Sequence, residues 1–285
     1  MPITPFHPGA AIPFKKIGLL VSPLIIGSMT PDFEFFIMQS GERIIAHSWA
    51  GIFIFCVPAG LIILALFHFL LKRPVVSLLP YELQVRLLPH CGTFKFFPMK
   101  RLLLIVASLV AGSATHLVLD SFTHEEGWIA GHIPMLSLTL IALPLGAIKV
   151  YFILQYALSA ICLLCMWHWY RQWYQRTAPP ASAVCYWIPR GKKTALIVVV
   201  VAAALGGGVG RFFSVFPDFH IAYEIGSALT VSFIGSTSAV VVVMMIFCIL
   251  WRAGGIPVKE ILHPDNGIID VTAPIPCKQI AGTLS

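Results

Sequence analysis

Apolar positions in this chain come in long unbroken runs, not in the alternation of a half-buried strand or the one-sided stripe of a soluble helix. Residues 44–71, 102–122, 149–170, 194–213 and 226–251 are each about 20 residues or more of mostly apolar sequence, the length that a hydrocarbon core of about 30 Å demands. In lipid, backbone N–H and C=O groups must be satisfied within the segment, so each run predicts a helix. The pattern predicts an all-α, polytopic transmembrane helical bundle of about five full spans.

Two stretches break the pattern. Over residues 1–43, Pro5, Pro8, Pro13 and Pro23 interrupt any long helix, and Lys15 and Lys16 split the apolar residues into two short arms. A helical hairpin is predicted. One arm begins near His7 and the other runs from Ile17 to about Pro31-Asp32, so that His7 returns beside Asp32. A single span from Ile17 to Met38 is the alternative, and it would strand His7 in the cytoplasm. Residues 135–148 are too short to cross alone and contain Pro144 and Gly146, which predicts a re-entrant or interfacial segment. The organisation that follows is a membrane domain over 1–170, a basic cytoplasmic linker over 171–193, two further spans within 194–251 and a cytoplasmic tail over 252–285. Linker and tail are expected to carry no chemistry.

Composition sharpens the class. Of 285 residues, 58% are hydrophobic and only 11% charged, and the mean hydropathy of +0.87 excludes a soluble domain. The net charge of +7 is not one patch. Lys72, Arg73, Arg86, Lys95, Lys100 and Arg101 follow the first span, Arg171, Arg176, Arg190, Lys192 and Lys193 the third, and Arg252, Lys259 and Lys278 the fifth. Spread in this way, the basic residues act as juxtamembrane anchors, which argues against nucleic acid as a partner and leaves membrane lipid. They also predict cytoplasmic loops and a cytoplasmic C-terminus. The opposite connections hold only Arg43, Lys149 and Arg211, yet carry Asp32, Glu34, Glu42, Asp120, Glu125, Glu126, Asp218 and Glu224, eight of the twelve acids. His47, His116, His124, His132 and His220 fall on that outer side too. Met1 is followed by Pro2 and several prolines rather than a basic n-region, so no removable signal peptide is expected. The seven cysteines imply no disulfide framework, and the Cys162/Cys165 pair inside an apolar run reads as packing.

The chemistry centres on Gly112-Ser-Ala-Thr-His116-Leu-Val-Leu-Asp120-Ser-Phe-Thr-His124, where His116, Asp120 and His124 project from one helix face. Such groups in hydrocarbon cost several kcal/mol unless partnered, which makes an intramembrane cluster a functional hypothesis. Four pieces can meet at the outer mouth of the bundle: His7, the acids Asp32 and Glu34, His47-Ser48, and His116 with Asp120. Imidazole nitrogen and carboxylate oxygen together suit a divalent metal, Zn²⁺ first, with Mn²⁺ or Fe²⁺ as harder alternatives. Glu34 is the candidate catalytic base for water acidified by the metal. Each piece also has a plainer reading. His7 can be an interfacial side chain, Asp32 a turn residue, Ser48 a helix cap, and His116 with Asp120 a buried pair that holds two helices together.

The order Thr4-Pro-Phe-His7, Gly27-Ser-Met-Thr-Pro31-Asp32-Phe-Glu34, Ala46-His47-Ser48 and Gly112-x-x-x-His116-x-x-x-Asp120-x-x-Thr123 resembles the bacterial inner-membrane-bound metal-dependent hydrolases of the LexA-regulated type. It resembles more closely a related, uncharacterised bacterial integral-membrane family known as a domain of unknown function, and it is distantly similar to zinc-dependent phospholipase C. The likeness covers about the first 130 residues. It implies His7, Asp32, His47, His116 and Asp120 as metal ligands, with Ser48, Thr123 and His124 as supporting or additional groups. The chain departs from that pattern in three places: Glu34 stands for an aspartate, Glu42 for a further histidine, and His124 for a proline, which offers His124 as a substitute nitrogen. The implied function is hydrolysis of an ester or phosphodiester, lipid-linked or not, at the outer face of the inner membrane. A transporter or channel is the first alternative, but the interiors of 194–213 and 226–251 offer only Ser, Thr and Gly as polar groups. A non-catalytic assembly partner is the second, with Gly206-Gly207-Gly208 and Gly210 as a close-packing surface.

Overall fold

The structure is a computed structural model that describes residues 4–39, 45–124, 127–143, 146–177, 182–186, 188–216, 221–254 and 258–262. After the short turn α1 (Pro8–Ala11) come α2 (Val21–Met38), α3 (Trp49–Leu78), α4 (Tyr81–Leu87), α5 (Met99–Thr123), α6 (Trp128–His132), α7 (Val150–Arg176), α8 (Arg190–Val215) and α9 (Ile221–Gly254). Among the described residues, five stretches are long and apolar enough to cross a membrane: α3, the stretch Met99–His132 that holds α5 and α6, α7, α8 and the stretch Ser227–Gly254 of α9. Each overlaps one predicted run. The chain is an all-α, multi-pass membrane protein.

It divides into two compact units, one of Met1–Leu64, Phe96–Arg171 and Phe212–Ile234, the other of Ala65–Lys95, Gln172–Arg211 and Gly235–Ser285. The first unit is built on α2 against α5. Leu20 N–H donates to Ser108 Oγ at 3.0 Å and Ser28 O lies 2.8 Å from His116 Nδ1, so contacts advance together along both helices and the two run parallel. Small residues permit the approach. A Cβ on Gly27 would stand 2.3 Å from Leu109 O, and one on Gly112 would stand 2.4 Å from Leu24 O. Backbone chemistry locks the register. Pro31 has no N–H to donate to Gly27 O one turn back, and the Ser113 hydroxyl of α5 donates to that carbonyl instead, at 3.0 Å.

The N-terminal residues fold as the expected hairpin, with a difference in its second arm. α2 does not end near Pro31-Asp32 but runs through the proline to Met38, because Ser113 supplies the donor that proline lacks. The first arm lies on α7, where a Cβ on Gly9 would stand 2.3 Å from Cys162 O and Lys15 Nζ sits 5.5 Å over the Trp169 ring. Where a re-entrant or interfacial segment is expected over 135–148, strands β1 (Thr139–Leu143) and β2 (Gly146–Lys149) pair antiparallel.

In the second unit the linker and tail hold strand structure that apolar periodicity does not show. β3 (Ser182–Tyr186) pairs antiparallel with β4 (Val258–Leu262). Buried Gln84 of α4 ties this strand pair down: its amide donates to Ser77 O and Leu79 O, and its Oε1 accepts from Tyr186 N–H at 2.9 Å. Gly207 of α8 meets Gly235 of α9 backbone to backbone, and Ser236 donates to Ala204 O at 2.7 Å.

Candidate metal centre

The parallel register of α2 and α5 sets two matched pairs face to face. Ser28 and Asp32 lie one turn apart on α2, His116 and Asp120 one turn apart on α5. His116 is fully buried, and its Nδ1 must be the donor to Ser28 O at 2.8 Å, since a carbonyl can only accept. In the neutral imidazole that bond fixes the tautomer and leaves Nε2 with its lone pair. His116 Nε2 then stands 3.4 Å from Asp32 Oδ1 and 3.5 Å from Asp120 Oδ2.

His47 arrives from the connection between α2 and α3. Its Nε2 is 3.2 Å from Asp32 Oδ1 and 3.7 Å from Asp120 Oδ2, and its ring packs on Phe35 with centroids 5.1 Å apart. Glu34 holds this connection in place. Its Oε1 accepts from Ile45 N–H at 2.8 Å and its Oε2 from Ala46 N–H at 3.1 Å. The catalytic-base role expected for Glu34 is therefore not supported: the carboxylate is buried, and two backbone donors engage both of its oxygens at the loop. His7 comes from the first arm of the hairpin, with Nε2 3.7 Å from Asp120 Oδ1 and its ring 3.9 Å from that of His116. His7 lies outside the five spans. Burial, with His116 beside it, pushes its imidazole down to about 4, so it is neutral at pH 7.

All five expected ligands thus reach one buried cluster, sorted into two overlapping triads, His7/His116/Asp120 and Asp32/His47/His116, whose ligand atoms lie within 4.8 Å of one another. His7 Nε2 and His116 Nε2 have no hydrogen-bond partner among the described residues. Buried imidazole nitrogens are seldom left so, and a cation is one partner that would satisfy His116 Nε2. Around a tetrahedral zinc with bonds of about 2.0–2.1 Å, neighbouring ligand atoms stand about 3.3 Å apart. The two distances at Asp32 Oδ1, 3.2 Å to His47 and 3.4 Å to His116, match that spacing; those at Asp120, 3.5 Å to His116 and 3.7 Å to His7, are looser. The donor set could hold a divalent metal.

The supporting residues behave differently. Ser48 Oγ accepts from Gly51 N–H at 2.9 Å and donates to Ile45 O, so it caps α3. Thr123 donates back to Leu119 O at 3.0 Å. His124, with Nδ1 3.7 Å from Asp120 Oδ1 and a side chain 17% exposed, borders the cluster but joins neither triad. Ser28, whose carbonyl orients His116, and Ser113 were not legible as functional, although Ser28 sits inside the Gly27–Asp32 motif, because a backbone carbonyl has no side-chain signature. Glu42, Glu125, Glu126, Asp218 and His220 lie outside the described residues, and Glu224 has no described side chain. A cavity of about 670 Å³ opens beside the cluster, lined by His47 and Asp120 together with Trp49, Leu117, Val118 and Trp128.

Fold and cluster define a multi-pass membrane protein with a buried histidine–aspartate centre. The chain belongs to the DUF4184 family, a domain of unknown function, whose profile matches residues 1–252 and so takes in the cluster and nearly all of the five spans. No curated protein and no solved structure matches it.

Proposed function

We propose that this protein is a metal-dependent hydrolase of ester or phosphodiester bonds, with its site facing the outer side of a bacterial inner membrane and its C-terminus in the cytoplasm. The observation that carries the proposal is the cluster of three imidazoles and two carboxylates, buried together and spaced 3.2–3.7 Å apart beside a cavity. The resemblance to inner-membrane metal-dependent hydrolases supports the same reading. His116 Nε2 has one lone pair and can serve one cation, so the two triads cannot both be filled as they stand. Asp32, His47 and His116 are the holders, on their spacing. A zinc ion there, or Mn²⁺ or Fe²⁺, supplies Lewis acidity to the scissile carbonyl or phosphoryl group and to water.

The remaining residues move and hold protons. Asp120 lines the cavity 3.5 Å and 3.7 Å from the two histidines, where it can take a proton from water as the water oxygen bonds to the acyl carbon or phosphorus. The C–O or P–O bond then breaks, and the proton passes to the departing alkoxide. His7 stands beside that carboxylate, its Nε2 3.7 Å from Asp120 Oδ1. Metal analysis of the purified protein tests the proposal. Stoichiometric zinc or a similar metal is expected, lost in His116→Ala and Asp32→Ala and kept in Asp120→Asn, which loses hydrolysis only. Full loading in both alanine variants would end it.

A further inference from the structure

The wall of the cavity beside the cluster points to a substrate class. Apart from His47 and Asp120, which belong to the cluster, its side chains are almost wholly apolar: Trp49, Leu117, Val118, Trp128 and Ile129. Among the described residues Ser121 is the one further polar side chain there, and its hydroxyl turns back to Val118 O at 2.6 Å. A pocket for a water-soluble substrate offers several aimed polar groups, and the described residues of this one offer them only at the end where His47 and Asp120 stand. Its size lies within the range of ligand sites, about 300–1,000 Å³.

The walls also lie on segments that cross the membrane. Leu117 and Val118 belong to α5, and Trp49 opens α3. Trp49 is 64% exposed and Trp128 72% exposed, the side-chain type enriched where hydrocarbon meets headgroups. Val118 is 43% exposed, so part of the wall belongs to the outer surface of a membrane-spanning helix. An occupant must then be polar at one end, where His47 and Asp120 stand, and hydrocarbon along the rest.

We infer that the cavity is the chain-binding groove of a lipid-acting site: one hydrocarbon chain of a bilayer lipid lies along Leu117, Val118 and Ile129 between the two tryptophans, which brings its ester or phosphodiester to His47 and Asp120. The inference rests on the hydrolase reading for the chemistry, and on the groove alone for the choice of substrate. The lipid enters sideways from the bilayer, with no passage through water.

The full chain in nanodiscs of phosphatidylcholine, doped with a phosphatidylcholine that carries a photoactivatable diazirine on one acyl chain, provides the test. Peptides containing Leu117, Val118 and Ile129 are expected to label above the level of the exposed face of α8. Val118→Trp and Ile129→Trp, each filling the groove from a different wall, are expected to lose that excess while retaining the wild-type metal content. Labelling no denser than on α8, as for lipid that merely surrounds the protein around tryptophan anchors, overturns the inference. So does an excess that survives both substitutions. Metal analysis of the same samples separates the two failures: groove labelling without metal in the wild type overturns the hydrolase reading, and metal without groove labelling overturns the lipid groove alone.

Discussion

The Glu34 carboxylate is engaged by the main chain on both of its oxygens. Two main-chain amides depend on it, that of Ala46 buried and that of Ile45 partly so, and they belong to the two residues just before His47. Glu34→Ala leaves both donors unsatisfied, and a loss of about 2–4 kcal/mol in stability is expected, read as a lowered melting temperature in detergent. Metal content should fall as well, although no proposed ligand has been removed, because His47 is no longer held 3.2 Å from Asp32. Glu34→Gln separates this role from catalysis. Its amide oxygen can accept from one of the two N–H groups, so partial metal retention with activity in proportion to bound metal is expected; full metal with no activity would return Glu34 to the role of base. From sequence alone Glu34 was visible as an outer-side acid two residues after Asp32. Its engagement was not, since the partners are main-chain groups eleven and twelve positions away.

Between elements, the α2–α5 contact is where packing becomes function. Gly112 admits Leu24 O and Ser28 N to within 2.4 Å and 2.7 Å of where a Cβ would stand, and one turn later His116 meets Ser28 O. Gly112→Ala must push the helices apart, and metal affinity is expected to drop about 10–100-fold, as when the orienting partner of a ligand is lost. Isothermal titration with zinc would measure it. The proline–serine exchange makes a sharper prediction. Ser113→Ala should cost about 0.5–1.5 kcal/mol in the native chain, because Gly27 O loses its donor. In a Pro31→Ala background the restored N–H of residue 31 can reach the same carbonyl, so the same substitution should cost close to nothing; equal costs in both backgrounds, in a double-mutant cycle, would show the exchange to be idle. Pro31 announces a break in the sequence, and α2 nonetheless continues to Met38 because the missing donor comes from another helix.

At the scale of the whole molecule, the asymmetry of charge makes a prediction about orientation. Gly131 and Gly92 are both exposed, and a Cβ added at either meets nothing within 4 Å, so each accepts a reporter cysteine. With native cysteines replaced by alanine, Gly131→Cys is expected to react with a membrane-impermeant maleimide in intact cells, and Gly92→Cys only after permeabilisation. The reverse pattern would turn the site to the cytoplasm and exclude substrates confined to the outer leaflet. The five spans that set this orientation were legible as runs of apolar residues, whereas the β3–β4 pairing of linker with tail was not, since it joins segments more than seventy positions apart with no alternation to mark them.

What the sequence determined by itself is what local physics governs. An apolar run about 20 residues long must be a helix in lipid, basic residues must gather on one side, and a histidine and an aspartate four positions apart must share a helix face. Tertiary structure alone decided which groups meet. Two helices running parallel on a seam of small residues set Asp32 and Asp120 on either side of His116; a buried glutamate carried His47 to them; and an apolar groove opened at their edge. Those choices depend on the register between helices and on main-chain donors and acceptors. Neither leaves a mark in the order of side chains.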